Sequence, residues 1–178
     1  MLQHMMMTRW AQEDPEGAVA SLNGLNYKRS AFESTSIIGS IAVEDPEFAA
    51  KWLADPDNAA ASNGWTGRML ASTVGREWAR QDPAAALAWA ATLPDSQIAG
   101  GYVGVIGVLA EGDPGRASTL AMGLDPGSAR NEALGEIAKV WARSAPEDAL
   151  DWARSLEGAE QQRATQQAVG IWAQEDPV

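Results

Sequence analysis

The dipeptide Asp-Pro returns along this chain at a near-constant interval. In register it stands at Asp14-Pro15, Asp45-Pro46, Asp82-Pro83, Asp113-Pro114 and Asp176-Pro177, and Ala145-Pro146 fills the remaining slot. The intervals are 31, 37, 31, 32 and 31 residues. A fixed period of this size marks stacked supersecondary units, each too small to bury its apolar face alone. The second unit carries about six extra residues, near Pro56 to Trp65.

Other positions keep the same register. Three residues before each slot stands Ala: Ala11, Ala42, Ala79, Ala110, Ala142 and Ala173. Four after it stands Ala again: Ala18, Ala49, Ala86, Ala117 and Ala149. Four before it stands a large apolar residue: Trp10, Ile41, Trp78, Leu109, Trp141 and Trp172. Seven after it come Ser21, Trp52, Trp89, Leu120 and Trp152. Chance does not place Ala in all of these slots.

The local chemistry of the unit follows. An Asp side chain accepts a backbone N–H at a helix N-cap, and Pro is tolerated at the first helical position. Each slot therefore opens a short helix, A, whose apolar positions follow a 3.6-residue spacing. Helix A ends in turn chemistry: Asn23-Gly24, Asp55-Pro56, Pro94-Asp95, Asp125-Pro126-Gly127 and Glu157-Gly158. A second helix, B, then runs to the next slot. The reading predicts helices over 15–23, 28–43, 46–54, 65–80, 83–92, 97–111, 114–123, 128–143, 146–156 and 159–174. Ala is 34 of the 178 residues, which favours helix throughout. The expected fold is all-α: a right-handed α-solenoid of about five antiparallel helical hairpins over residues 1–178, one domain, with units beginning near 14, 45, 82, 113 and 145.

Composition excludes several functions. Thirteen basic against 24 acidic residues give a net charge of −11, which disfavours a phosphate backbone as partner. Cysteine is absent, so disulfides, thiolate metal sites and a Cys nucleophile are excluded. One histidine, His4, excludes a multi-His metal site and Ser-His-Asp catalysis elsewhere in the chain. The N-terminus lacks the pattern of a signal peptide, and no apolar run is long enough to span a bilayer. The cytoplasm is the default compartment, and no cofactor, metal, nucleic acid or membrane is expected.

The stretch Trp78-Ala79-Arg80-Gln81-Asp82-Pro83-Ala84-Ala85-Ala86-Leu87-Ala88-Trp89-Ala90 resembles the junction between tetratricopeptide-type repeats. There too a helix B ends, a Pro follows, and the next helix A alternates small and large apolar residues. The likeness of pattern runs along essentially the whole chain. The period departs from the roughly 34 residues of that family, and its Leu-Gly-x-x-Tyr element is absent. Similar Trp-Ala-x-x-Asp-Pro arrays occur in large bacterial proteins of unassigned function. The resemblance implies a superhelix with a binding or scaffold role, and a concave groove lined by the exposed face of the A helices.

Candidate residues are few. The repeated Asp residues are explained by capping, and the repeat spaces them too widely for a catalytic carboxylate pair. Gly101, Gly104 and Gly107 fall on one helical face of a Gly-rich helix, where they permit close packing; they form no nucleotide loop. Most Trp positions exchange with Ile or Leu in register, which argues for core packing. Trp65 breaks the register and lies in the insertion, so it is a recognition candidate. On the exposed A-helix face, Phe48 at an exposed position beside Lys51 is an interaction signal, and Arg116 and Arg154 share that face. Ala84, Ala85, Ala88 and Ala91 offer a smooth apolar floor to a partner helix. The basic residues Arg68, Arg76, Arg80, Arg130, Lys139, Arg143 and Arg163 sit on B helices among Glu residues and read as surface pairs.

The expected function is protein or peptide binding without catalysis, toward a partner with a basic or apolar segment. A second reading is a small-molecule or enzymatic pocket near the 56–65 insertion. A third is a structural segment that self-associates end to end, since Trp10, Trp172 and the Met5-Met6-Met7 cluster read as faces that meet a neighbour, as in a piece of a longer array.

Overall fold

A computed structural model describes residues 9–11, 13–20, 27–58 and 64–175, with backbone alone for 27–33 and 175. The described helices are α1 (Pro15–Ala20), α2 (Tyr27–Glu44), α3 (Pro46–Ala54), α4 (Gly64–Gln81), α5 (Pro83–Ala90), α6 (Asp95–Gly112), α7 (Pro114–Met122), α8 (Ser128–Ala142), α9 (Pro146–Ser155) and α10 (Gly158–Glu175). One 3-10 turn, Pro56–Asn58, follows α3. No strand occurs among the described residues, so the fold class is all-α. Odd-numbered helices are the short A elements and even-numbered ones the long B elements. Most observed ends lie within two residues of those expected. Expectations at His4, Met5-Met6-Met7, Ser21, Asn23-Gly24 and Asp176 lie outside the described residues.

The slots act as helix caps. Asp14 Oδ1 accepts from the Gly17 amide at 2.9 Å, Asp45 Oδ1 from Phe48 at 2.9 Å, and Asp113 Oδ1 from Arg116 at 2.8 Å. Asp82 Oδ1 accepts from both Ala84 and Ala85 at 3.0 Å. Each such cap contributes about 1 kcal/mol. Ala145 has no side-chain acceptor; its helix instead carries Glu147 and Asp148 in the first turn, where the helix dipole favours negative charge. Gly64 and Gly158 each stand 18 residues before a slot, at the start of a B helix, with φ of 56° and 55°. The A-to-B turn there uses left-handed backbone, which glycine adopts without steric cost.

Contacts divide the chain into two compact units, residues 1–104 and 105–178. In the first, α2 packs on α3 and α4, and α4 packs on α3 and α5. In the second, α8 packs on α7, α9 and α10, and α9 packs on α10. The first core centres on Ile37, Ile38, Ile41, Trp52, Leu53, Leu70 and Val74. In the second, Val105, Ile106, Leu134 and Ile137 are fully buried. The alanines four after each slot are all 0% exposed. Those three before are buried from Ala11 to Ala142, whereas Ala173 is exposed. Alanine holds these places because a larger side chain would force neighbouring helices apart.

The glycine face of α6 needs correction. A Cβ on Gly100 or Gly104 would meet backbone of α4, at Arg68 and Ser72, whereas one on Gly101 would meet Leu93 and Ala90. Gly107 has ordinary room beside Glu136. Close approach therefore falls on Gly100 and Gly104, four residues apart, and Gly101 serves a different neighbour.

Candidate functional site

The first unit contains a cleft of about 640 Å³. Its walls come from α3 (Glu47, Ala50, Lys51, Leu53, Ala54), from Asp55-Pro56, from Trp78 on α4 and Trp89 on α5, and from Thr92 to Pro94, Ser96 and Gln97. The turns at its two ends are pinned by hydrogen bonds. The Asn58 amide, itself buried, donates to the Trp52 carbonyl at 3.0 Å, and the Asp57 amide to Asp55 Oδ1 at 2.9 Å. At the end of α5, Thr92 Oγ1 donates to the Trp89 carbonyl three residues earlier at 2.7 Å.

Trp78 and Trp89 form the aromatic wall. Their ring centroids lie 5.7 Å apart with planes inclined at 41°. Trp78 stands four before the Asp82 slot and Trp89 seven after it, so the junction between two helices brings them together. Both are partly buried against the core and also line the cleft. No described residue accepts a hydrogen bond from the Trp89 indole N–H. Glu47, Lys51 and Asp55 follow each other at intervals of four on α3 and its end, setting charges of alternating sign on the facing wall.

The second unit holds the same pair. Trp141 and Trp152 occupy the equivalent positions, with centroids 5.7 Å apart and planes at 40°. There the Trp152 indole N–H donates to Ser118 Oγ on α7 at 3.1 Å. Ser118 stands five after its slot; the residue so placed on α3 is Ala50, which has no acceptor in its side chain. In the same unit, Arg130 bridges to Glu160, with Nε to Oε1 at 2.9 Å, and Nη2 lies 3.3 Å from Met122 Sδ.

No protein-family model matches the chain, and neither a curated protein nor a solved structure does. The site is thus read from its own chemistry. Among the described residues, no group of three or more His, Cys, Asp or Glu is arranged to hold a metal ion, and no helix is long and apolar enough to cross a membrane.

The sequence-level candidates scatter. Lys51 lines the cleft. Phe48 does not stand free on the surface as expected: it is half-buried and packs against the core, because its position three after the slot turns toward that core. Trp65 is 72% exposed on the first turn of α4 and is not among the residues lining the cleft. Arg116 and Arg154 belong to the second unit, both exposed; Arg154 pairs with Asp151 at 3.0 Å on the same helix. The pairings expected on B helices appear as Arg80 with Glu77 and Lys139 with Glu136. Sequence reasoning missed Trp78 and Trp89 as site residues. The available signal was that both large positions flanking one slot are Trp, which within 11–175 is true only of Trp78/Trp89 and Trp141/Trp152.

Proposed function

We propose that this chain is a non-catalytic protein- or peptide-binding scaffold of tetratricopeptide-like helical hairpins, wound as a solenoid, and that the cleft of the first unit receives a segment of its partner. The supporting observation is the cleft-lining indole pair in which the Trp89 N–H has no described acceptor. Such a wall offers an apolar face to a side chain and a donor to a peptide carbonyl. The facing Glu47 and Asp55 carboxylates, with the net charge of −11, favour a segment carrying basic as well as apolar residues. Ala84 and Ala88 of α5, and Ala91 just after it, are exposed as well.

One observation favours a second reading. A volume of about 640 Å³ lies within the range of small-molecule pockets, and Pro56 brings the start of the insertion into the wall. A small-molecule site there would use the same indoles.

Selection of displayed peptides on the immobilised full chain tests both readings. The account expects enriched peptides that combine basic and apolar residues, quench Trp fluorescence, and bind at least tenfold more weakly to Trp89→Leu but not to Trp152→Leu. No enrichment, or enriched peptides indifferent to Trp89→Leu, contradicts it. A thermal-shift screen that finds a stabilising small molecule blocked by Trp89→Leu, with no peptide enriched, supports the second reading instead.

A further inference from the structure

The B helices meet one another in a constant register. Gly39, six before its slot, faces Thr73, nine before the next: a Cβ on the glycine would lie 3.2 Å from the Thr73 methyl. Gly107, six before its slot, faces Glu136, again nine before the next, at 3.4 Å. Between α4 and α6 the same two positions meet, Arg76 against Gly104. Positions ten and fourteen before a slot join this leading edge. Ser72 faces Gly104, Arg68 faces Gly100, and Gly135 faces Arg163 and Gln167. Each contact so described sets position −14, −10 or −6 of one B helix against −13 or −9 of the next, and α4 uses all three.

On α10 the leading edge is Gln162, Gln166 and Gly170. These three line a shallow groove together with Val169. No described residue lies within 4 Å of a Cβ placed on Gly170. Residues buried in the other repeats are open here. Val169 is 46% exposed, whereas its equivalents Ile38, Ile106 and Ala138 are 0% exposed. Trp172 is 39% exposed, and Ala173 is exposed where every other described alanine of its register is buried.

We propose that this face of α10 is a seat for one further helical hairpin of the same repeat type, stacked on α10 as α10 is stacked on α8. The occupant is fixed by continuity with the junctions already formed. It must present an Asp-Pro-opened A helix and a B helix whose −9 and −13 positions face Gly170 and Gln166. Burial of Val169, Trp172 and Ala173 is what it gains.

The test extends the full chain. Val178 is replaced by a copy of residues 115–145, so that Asp176-Pro177 caps the added hairpin. The chain has no cysteine, so an engineered pair is unambiguous. Gly170→Cys is combined with cysteine at the copy's equivalent of Glu136, and the internal pair Gly107→Cys with Glu136→Cys calibrates the geometry. The expected result is a disulfide formed as readily as the internal one. It should be absent when the second cysteine stands at the copy's equivalent of Asn131, and slowed at least tenfold by Val169→Asp. No link, equal linking at both positions, or an added segment that raises no helical circular dichroism overturns the proposal. So does a concentration-dependent dimer of the unextended chain that Val169→Asp abolishes, because the seat then belongs to a second copy.

Discussion

The two indole pairs share spacing and inclination but differ in what surrounds them. In the Trp141–Trp152 pair the Trp152 N–H is held by Ser118. Trp78 and Trp89 line a cleft instead, facing Ala50 and a wall of alternating charge. Equivalent positions around the slots at 82 and 145 place the rings alike in both; the side chain five after the preceding slot differs, Ser118 tying one indole edge where Ala50 has no acceptor. Two sites can therefore share ring packing and differ in chemistry at a single register position.

The largest effects should come from removing the rings. Trp152→Ala and Trp89→Ala should each cost about 3 kcal/mol in denaturant unfolding, since both lose aromatic packing against a core. If one proves nearly neutral, the two pairs are not structural equivalents. Glu160→Ala should cost about 2 kcal/mol, because it strips the partner from a guanidinium whose side chain is only 16% exposed. Ser118→Ala should cost about 1 kcal/mol by leaving the Trp152 N–H without its acceptor. The reciprocal change, Ala50→Ser, should alter stability by less than about 0.5 kcal/mol while weakening peptide binding, as the new hydroxyl ties the Trp89 edge. The smallest change in stability is expected for exposed Lys51→Glu, within about 0.5 kcal/mol, with any effect confined to which peptides bind.

Much of this architecture was legible in the residues. Asp-Pro slots named the A-helix starts because capping and proline chemistry are local, and their hydrogen bonds depend on nothing distant. Alanine at −3 and +4 announced burial because a methyl group is all that fits there. The glycines of α6 were harder. Their spacing shows a face, but which helix approaches each one depends on crossing geometry, so Gly100 was overlooked and Gly101 misassigned. Phe48 was misplaced for a similar reason: position +3 lies at the edge of the apolar stripe, where a slight helix rotation decides between solvent and core. The indole wall of the cleft was not legible. In-register exchange of Trp with Ile and Leu reports burial, yet Trp78 and Trp89 are buried on one side and open on the other. Ala50 and Pro94 line that opening, and neither advertises a cavity in sequence.

The account stands most directly on the two indole edges, and exchange of the indole N–H protons reads both at once. In nitrogen-edited spectra assigned with Trp89→Phe and Trp152→Phe, the Trp152 Nε1–H should exchange slowly, and faster in Ser118→Ala. The Trp89 Nε1–H should exchange at least tenfold faster than Trp152, and should be the one that shifts when a selected peptide is added. Equal protection of the two protons, or a peptide-induced shift at Trp152 rather than Trp89, would contradict the assignment of one pair to structure and the other to recognition.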